Sequence, residues 1–225
     1  MKKIYLWFIL ASLLIAGCEL EQYPESTTSR AAVFSSAQGL DLYANSFYNM
    51  LPGSTTLDAM TDYLAVKTIP NFLQPAFSAT NSSGWDWGDL RNINYFLKYN
   101  TDSRVPEEVR KNYNGIAKFF RALFYFEKVK RFGDVPWINI PLDVSDTIML
   151  YGPRNSRTLI MDSVLADINY ACANITSTVD ASRSLITKYV AYGLKSRICL
   201  FEGTFRKYHT ELGLESTANT WLNDA

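Results

Sequence analysis

The sequence predicts an all-α fold in which helix pairs are joined by long connecting loops. Three observations carry that prediction. Apolar residues recur at three- and four-residue spacing in five separate stretches. Residues that start or stop helices bound those stretches. The segments between them are rich in Pro, Gly, Ser, Thr, Asn and Asp, the chemistry of loops.

The elements follow in order. Residues 35 to 51 keep helical spacing through Leu40, Tyr43, Ala44, Phe47, Tyr48 and Leu51. Ser35 or Ser36 is placed to cap them, and Pro52-Gly53 ends them. From 52 to 84 periodicity is lost, and a long ordered loop with one short helix is expected; such loops tend to be functional. Residues 86 to 99 return to helix, with Leu90, Ile93, Asn94 and Leu97 on one side. Pro106 with Glu107 and Glu108 opens the next helix, which runs to Phe132. Its stripe is Ile116, Phe119, Phe120, Leu123, Phe124, Val129 and Phe132. Lys128, Lys130 and Arg131 complement the negative end of the helix dipole, Gly133 supplies a left-handed stop, and Pro136 forbids continuation. After a connection over 134 to 154, Ser156 or Thr158 caps a helix with Met161, Val164, Leu165, Ile168, Cys172 and Ile175 inward. A further helix begins after Thr187 with Tyr189, Val190, Ala191, Leu194, Ile198 and Phe201 inward, and Gly203 near its exposed end. The closing stretch STANTWLNDA has a capping candidate at Thr217 or Asn219 and then Trp221-Leu222. It reads as one turn of a helix whose apolar side lacks a partner, as in a truncated gene or a fragment.

The start of the chain bears on compartment. Lys2 and Lys3 precede an apolar run, Ile4 to Ala16, too short to span a membrane, and Ile15-Ala16-Gly17-Cys18 presents small residues before a cysteine. This resembles a bacterial lipobox, with residues 1–17 as leader and Cys18 as the lipidated, palmitate-bearing N-terminus. An ordinary signal peptide with a chance Cys is the other reading. Acyl chains on one residue anchor stably, at roughly 0.8 kcal/mol per buried methylene. Residues 18–34 then form a tether and 35–225 the helical domain. The whole chain carries 22 basic against 22 acidic residues, and the leader removes two lysines. No electrostatic case for nucleic acid follows. Cys172 and Cys199 lie in helical patterns among apolar neighbours; buried free thiols and one disulfide are both open.

FFRALFYFEKVKRFGDVPWI resembles the signature of the SusD/RagB family, surface lipoproteins of Bacteroidetes that capture nutrients, usually glycans. LEQYPESTTSRAAVFSSAQGLDLYANSFYNML, WGDLRNINYFL, RTLIMDSVLADINYA and TKYVAYGLKSRICLFEGTFRKYH follow in the family's order. The resemblance implies tetratricopeptide-like helix pairs. Ala122 and Phe126 fit the repeat's A-x3-F element, but Pro136 falls two residues late and Trp87-x2-Leu90 lacks the following Gly. It also implies an outer-membrane, surface-exposed lipoprotein that is not an enzyme. Its partners would be an oligosaccharide ligand and a SusC-like TonB-dependent transporter, with the membrane reached through the lipid anchor. Members are usually twice as long or more, so this chain resembles an N-terminal portion. A scaffold that contacts the transporter but lacks a complete ligand site is the alternative.

Residue chemistry gives no cofactor or metal site. His209 is the only histidine, no phosphate-cradling glycine motif occurs, and no triad can be assembled. Asp86 and Asp89 project from one helix face, whereas a glycosidase needs carboxylates facing across a cleft. Aromatic residues make up 14% of the chain, and flat rings cover sugar C–H faces while amides and charged groups take hydroxyls. Trp85 and Trp87, beside Asn81, Ser82, Ser83 and Asp86, are the ligand-binding candidates, with Arg91 and Asn94 on the same helix. For Trp87 the competing role is packing under its own helix; for Arg91 and Asn94 it is helix-to-helix hydrogen bonding. Asp146-Thr147-Ile148 and Asp162-Ser163-Val164 resemble the short O-glycosylation pattern of exported Bacteroidetes proteins.

Overall fold

The structure, a computed structural model, describes residues 30–51, 67–68 and 83–225. Cys18, the leader, the tether as far as residue 29 and most of the 52–84 segment lie outside the described residues. Those described form eight α-helices and no strand: α1 (Arg30–Phe34), α2 (Ala37–Asn45), α3 (Gly88–Tyr99), α4 (Glu107–Phe132), α5 (Thr147–Leu150), α6 (Arg157–Asn174), α7 (Lys188–Tyr208) and α8 (Glu215–Asn223). Short 3₁₀ turns follow α2 at Ser46–Met50 and α7 at Thr210–Leu212. The all-α expectation holds. Among the described residues no helix is long and apolar enough to cross a membrane.

The caps read from sequence are made. Ser36, Ser156 and Thr187 each accept a hydrogen bond from the backbone N–H three residues on, at 3.1, 3.3 and 3.4 Å. Each satisfies one of the donors that a helix start leaves over. Pro106 is the residue before α4 rather than its first turn, and Gly133 ends that helix at φ 68°, a conformation that favours glycine.

Helix α4 is the axis of the molecule. It packs on α6 most extensively, then on α3 and α2, and touches α7. Because neighbours lie on several sides, burial exceeds the predicted stripe: Ala117, Arg121, Ala122, Tyr125 and Phe126 are buried with Phe119, Phe120, Phe124 and Val129. Its rings interlock edge to face with those of other helices. Phe120 meets Tyr48 at 5.0 Å and Phe126 meets Phe201 at 5.3 Å, while beside α4 Phe47 and Phe96 meet in the same way at 5.5 Å. Such pairs contribute roughly 0.5–1.5 kcal/mol each beyond area burial.

Two carboxylates are buried in this interior, and both are held by cations. Asp167 of α6 accepts from Arg121 Nε at 2.6 Å, Arg121 Nη2 at 2.9 Å and Lys118 Nζ at 2.8 Å. Arg121 also donates to Asn94 Oδ1 of α3 at 3.1 Å, so one guanidinium ties three helices. Glu202 of α7 accepts from Arg157 Nη1 at 3.0 Å and Arg206 Nε at 2.7 Å. Arg206 continues to Thr217 at 3.0 Å and Asp162 at 3.1 Å. Fork-shaped pairing is what makes a buried charge tolerable.

Four expectations are corrected. Tyr189 and Val190 face outward, 65% and 42% exposed; α7 is held between α6 and α8, so its inner side turns to Ala191, Ile198, Cys199, Glu202, Gly203 and Arg206. Gly203 is not at an exposed end. It lies under α8, where an added Cβ would come 2.7 Å from Leu222 Cγ. The closing helix is longer than one turn and does find a partner: Ala218 and Trp221 are buried, and Arg206 stacks 4.8 Å over the Trp221 ring. Leu214, without a side-chain hydrogen bond, precedes it instead of Thr217 or Asn219.

Cys172 and Cys199 are free and buried. Burial pushes the Cys199 thiol up to about 11.

Candidate binding groove

The connection between α4 and α6 is held as a strap. At its base Asn155 N–H donates to the Val135 carbonyl at 3.0 Å, and Trp137 N–H donates to Asn155 Oδ1 at 2.8 Å. Ile138 N–H donates to the Tyr125 hydroxyl at 2.7 Å, which returns a bond to the Ile138 carbonyl at 3.1 Å. Burial drives the Tyr125 phenol far above its ordinary range, so it serves as a neutral hydroxyl. From α3, Asn94 Nδ2 donates to the carbonyls of Ile138 at 2.9 Å and Ile140 at 3.3 Å, and Arg91 Nη1 donates to that of Leu142. In an extended segment alternate carbonyls share a side, and in a helix residues three apart share a face. Arg91 and Asn94 therefore hold a strap whose acceptors recur every second residue.

Between the strap and the start of α3 lies a groove of about 730 Å³, within the range of small-molecule sites. Its lining includes Trp85, Asp86, Trp87, Leu90, Arg91, Ile138, Ile140, Leu142, Asp143, Met149 and Arg154. Trp85 is 43% exposed. Phe132 and Trp87 stand edge to face with it at 4.9 and 5.1 Å, and the Arg154 guanidinium lies over its ring at 4.7 Å. Trp87 packs inward on Phe124 at 5.6 Å, with Lys128 Nζ 5.5 Å above its ring. Burial lowers the Lys128 ammonium, against the pull of Asp86 and Asp89. Lys128 and Arg131 also reach the approach to the groove, donating to the Gly84 carbonyl and Ser83 Oγ. Gly84 has φ 90°, so this anchored bend favours glycine.

The four candidates thus separate. Trp85 presents an exposed ring, and Trp87 lines the groove while serving the core. Arg91 lines it with one nitrogen committed to the strap. Asn94 is 1% exposed and does not line the groove; its amide is spent on the strap and on Arg121. Sequence reasoning missed the strap residues and Arg154, which carry no motif and meet Trp85 only through the fold. The carboxylates are locally engaged: Asp86 Oδ1 accepts from Gly88 N–H at 2.9 Å, and Asp143 Oδ1 from Val144 N–H at 2.6 Å. Of the two O-glycosylation patterns, Thr147 opens the exposed helix α5, while Ser163 is inside α6 and bonds the Leu159 carbonyl at 2.9 Å. His209 is half exposed and pairs with Glu211 at 2.7 Å.

No family model matches the chain. Two curated relatives from Formosa agariphila do: SusD-like protein P25, 25% identical over 173 residues, and SusD-like protein P2, 22% identical over 230 aligned positions. The alignments cover 73% and 92% of this chain but 32% and 45% of those relatives. The chain spans less than half the length of the curated relatives it matches. Two solved structures from Bacteroides fragilis share the fold. A SusD-like protein gives a TM-score of 0.63 at 23% identity, covering 82% of this chain and 38% of its own. A SusD-like carbohydrate-binding protein gives 0.61 at 16%, covering 85% and 41%. In sequence the chain is similar to curated SusD-like proteins, and its fold is that of solved SusD-like structures.

Proposed function

We propose that this chain binds a glycan in the groove beside Trp85 and that it works as a capture protein. The observation that carries the reading is one exposed indole at the edge of a groove whose far wall is a strap fixed at five backbone positions. A flat ring takes the apolar face of a sugar, and polar groups at fixed positions take its hydroxyls. The carbohydrate-binding description of one structural neighbour supports the same ligand class. Binding rather than turnover is the reading because Asp86 and Asp143 are each engaged by nearby backbone.

Placement follows from the family resemblance together with the leader. Lipidation at Cys18 would confine the protein to the outer-membrane surface, where high effective concentration makes weak binding useful. A SusC-like TonB-dependent transporter would then receive the ligand. Affinity electrophoresis of the purified protein through gels containing individual polysaccharides tests the binding step. Retardation by at least one glycan is expected, and uniform mobility in all gels would overturn it. Co-purification with a transporter but no retardation would favour the alternative of a scaffold without a complete ligand site.

A further inference from the structure

We propose that the groove selects an acidic sugar, whose carboxylate or sulfate is taken by the edge of the Arg154 guanidinium. This deepens the glycan reading and rests on it. The Arg154 guanidinium lies over Trp85, its Cζ 4.7 Å from the ring centroid. A guanidinium held over an aromatic ring spends none of its N–H donors on that contact, and its planar fork matches an oxyanion bidentately. Among the described residues those donors reach no acceptor, and no carboxylate stands within ion-pair distance.

That condition is unlike the interior, where Arg121, Arg157 and Arg206 all close on carboxylates. Arg91, the other guanidinium of the groove, gives one nitrogen to a backbone carbonyl and likewise meets no carboxylate among the described residues. The acidic groups of the groove do not offset these two cations at contact distance. Asp86 is turned to Gly88 N–H and lies in the field of Lys128, and Asp143 is turned to Val144 N–H. An acidic sugar would complete the arrangement, its ring placed at the indole and its oxyanion at the Arg154 edge. A charge-assisted pair is about twice as strong as a neutral hydrogen bond, so charge would contribute more to selection than hydroxyl pattern.

The test is a titration of the purified protein with a neutral panel (dextran, laminarin, xylan), with polygalacturonate and with dextran sulfate, using wild type, Arg154→Gln and Lys207→Gln. Lys207 is exposed at the end of α7 and reports non-specific attraction of polyanions. The expected result is tighter binding of at least one acidic polymer than of any neutral one. Arg154→Gln should weaken that polymer tenfold or more, and Lys207→Gln should change it less than twofold. Which acidic polymer binds separates a carboxylate from a sulfate ligand. A neutral glycan bound as tightly as either acidic polymer, or acidic binding indifferent to Arg154→Gln, would overturn the proposal while leaving the glycan reading intact. Binding to nothing in the set would count against both.

Discussion

Arg121 and Arg154 are the same side chain in two regions, and their surroundings separate what the fold needs from what the groove offers. Arg121 is buried, forked onto Asp167, bonded to Asn94 and 5.4 Å from the Trp137 ring. Arg154 is exposed, lies on Trp85 and meets no carboxylate among the described residues. The rings divide in the same way. Phe120, Tyr125 and Phe126 are closed inside the bundle, whereas Trp85 stands open at the rim. Among the described residues, the buried guanidiniums of Arg121 and Arg206 both meet carboxylates supplied by the chain. At the rim the Arg154 charge has a ring beneath it but no carboxylate among the described residues.

The comparison is broken most severely from the inside. Asp167→Ala leaves Arg121 buried without its counter-charge, and urea unfolding should show a loss of about 3–5 kcal/mol. Glu202→Ala acts alike on Arg157 and Arg206, but Arg206 keeps Asp162 and Thr217, and Arg157 keeps its stack on Phe205 at 3.3 Å. Its cost should be smaller, about 2–3 kcal/mol. Asn94→Ala joins the two regions. It frees the Ile140 carbonyl and one Arg121 nitrogen and leaves the Ile138 carbonyl with the Tyr125 hydroxyl alone, so a loss of about 1–3 kcal/mol is expected, together with weaker glycan binding as the strap loosens. An unchanged affinity in that variant would show that the strap does not shape the groove.

A smaller effect tests the dryness of the interior. Cys199 keeps its proton in the folded state up to about pH 11, against an ordinary value of 9.0. The folded form therefore binds more protons across that window, and its stability should fall as pH rises from about 9 to 11. Cys199→Ala should flatten that part of the profile. Alkylation of the native thiol at pH 8 should be slow until denaturant is added.

Much of the fold was legible because its signals are local. Ser36, Ser156 and Thr187 are followed by apolar stripes, and a cap needs only the next three residues to form. The facing of α7 was not legible. Its apolar residues occur on several sides, and which side is inward depends on α6 and α8, so Tyr189 and Val190 were assigned inward and lie outside. The charged interior was hidden for a related reason: Arg121 sits between Phe120 and Ala122, and only tertiary contact reveals Asp167 as its partner. Trp85 could be singled out because it adjoins a polar segment at the start of a helix. Arg154, distant in sequence and without a motif, could not.

The most direct measurement of the central claim is a calorimetric titration of the best-retained glycan into wild type and Trp85→Ala, with thermal melting of both. Trp85 is a rim residue, so the variant should melt within a few degrees of wild type, while its affinity should fall tenfold or more. Equal affinity in the two proteins, with both folded, would contradict the assignment of the groove as the glycan site.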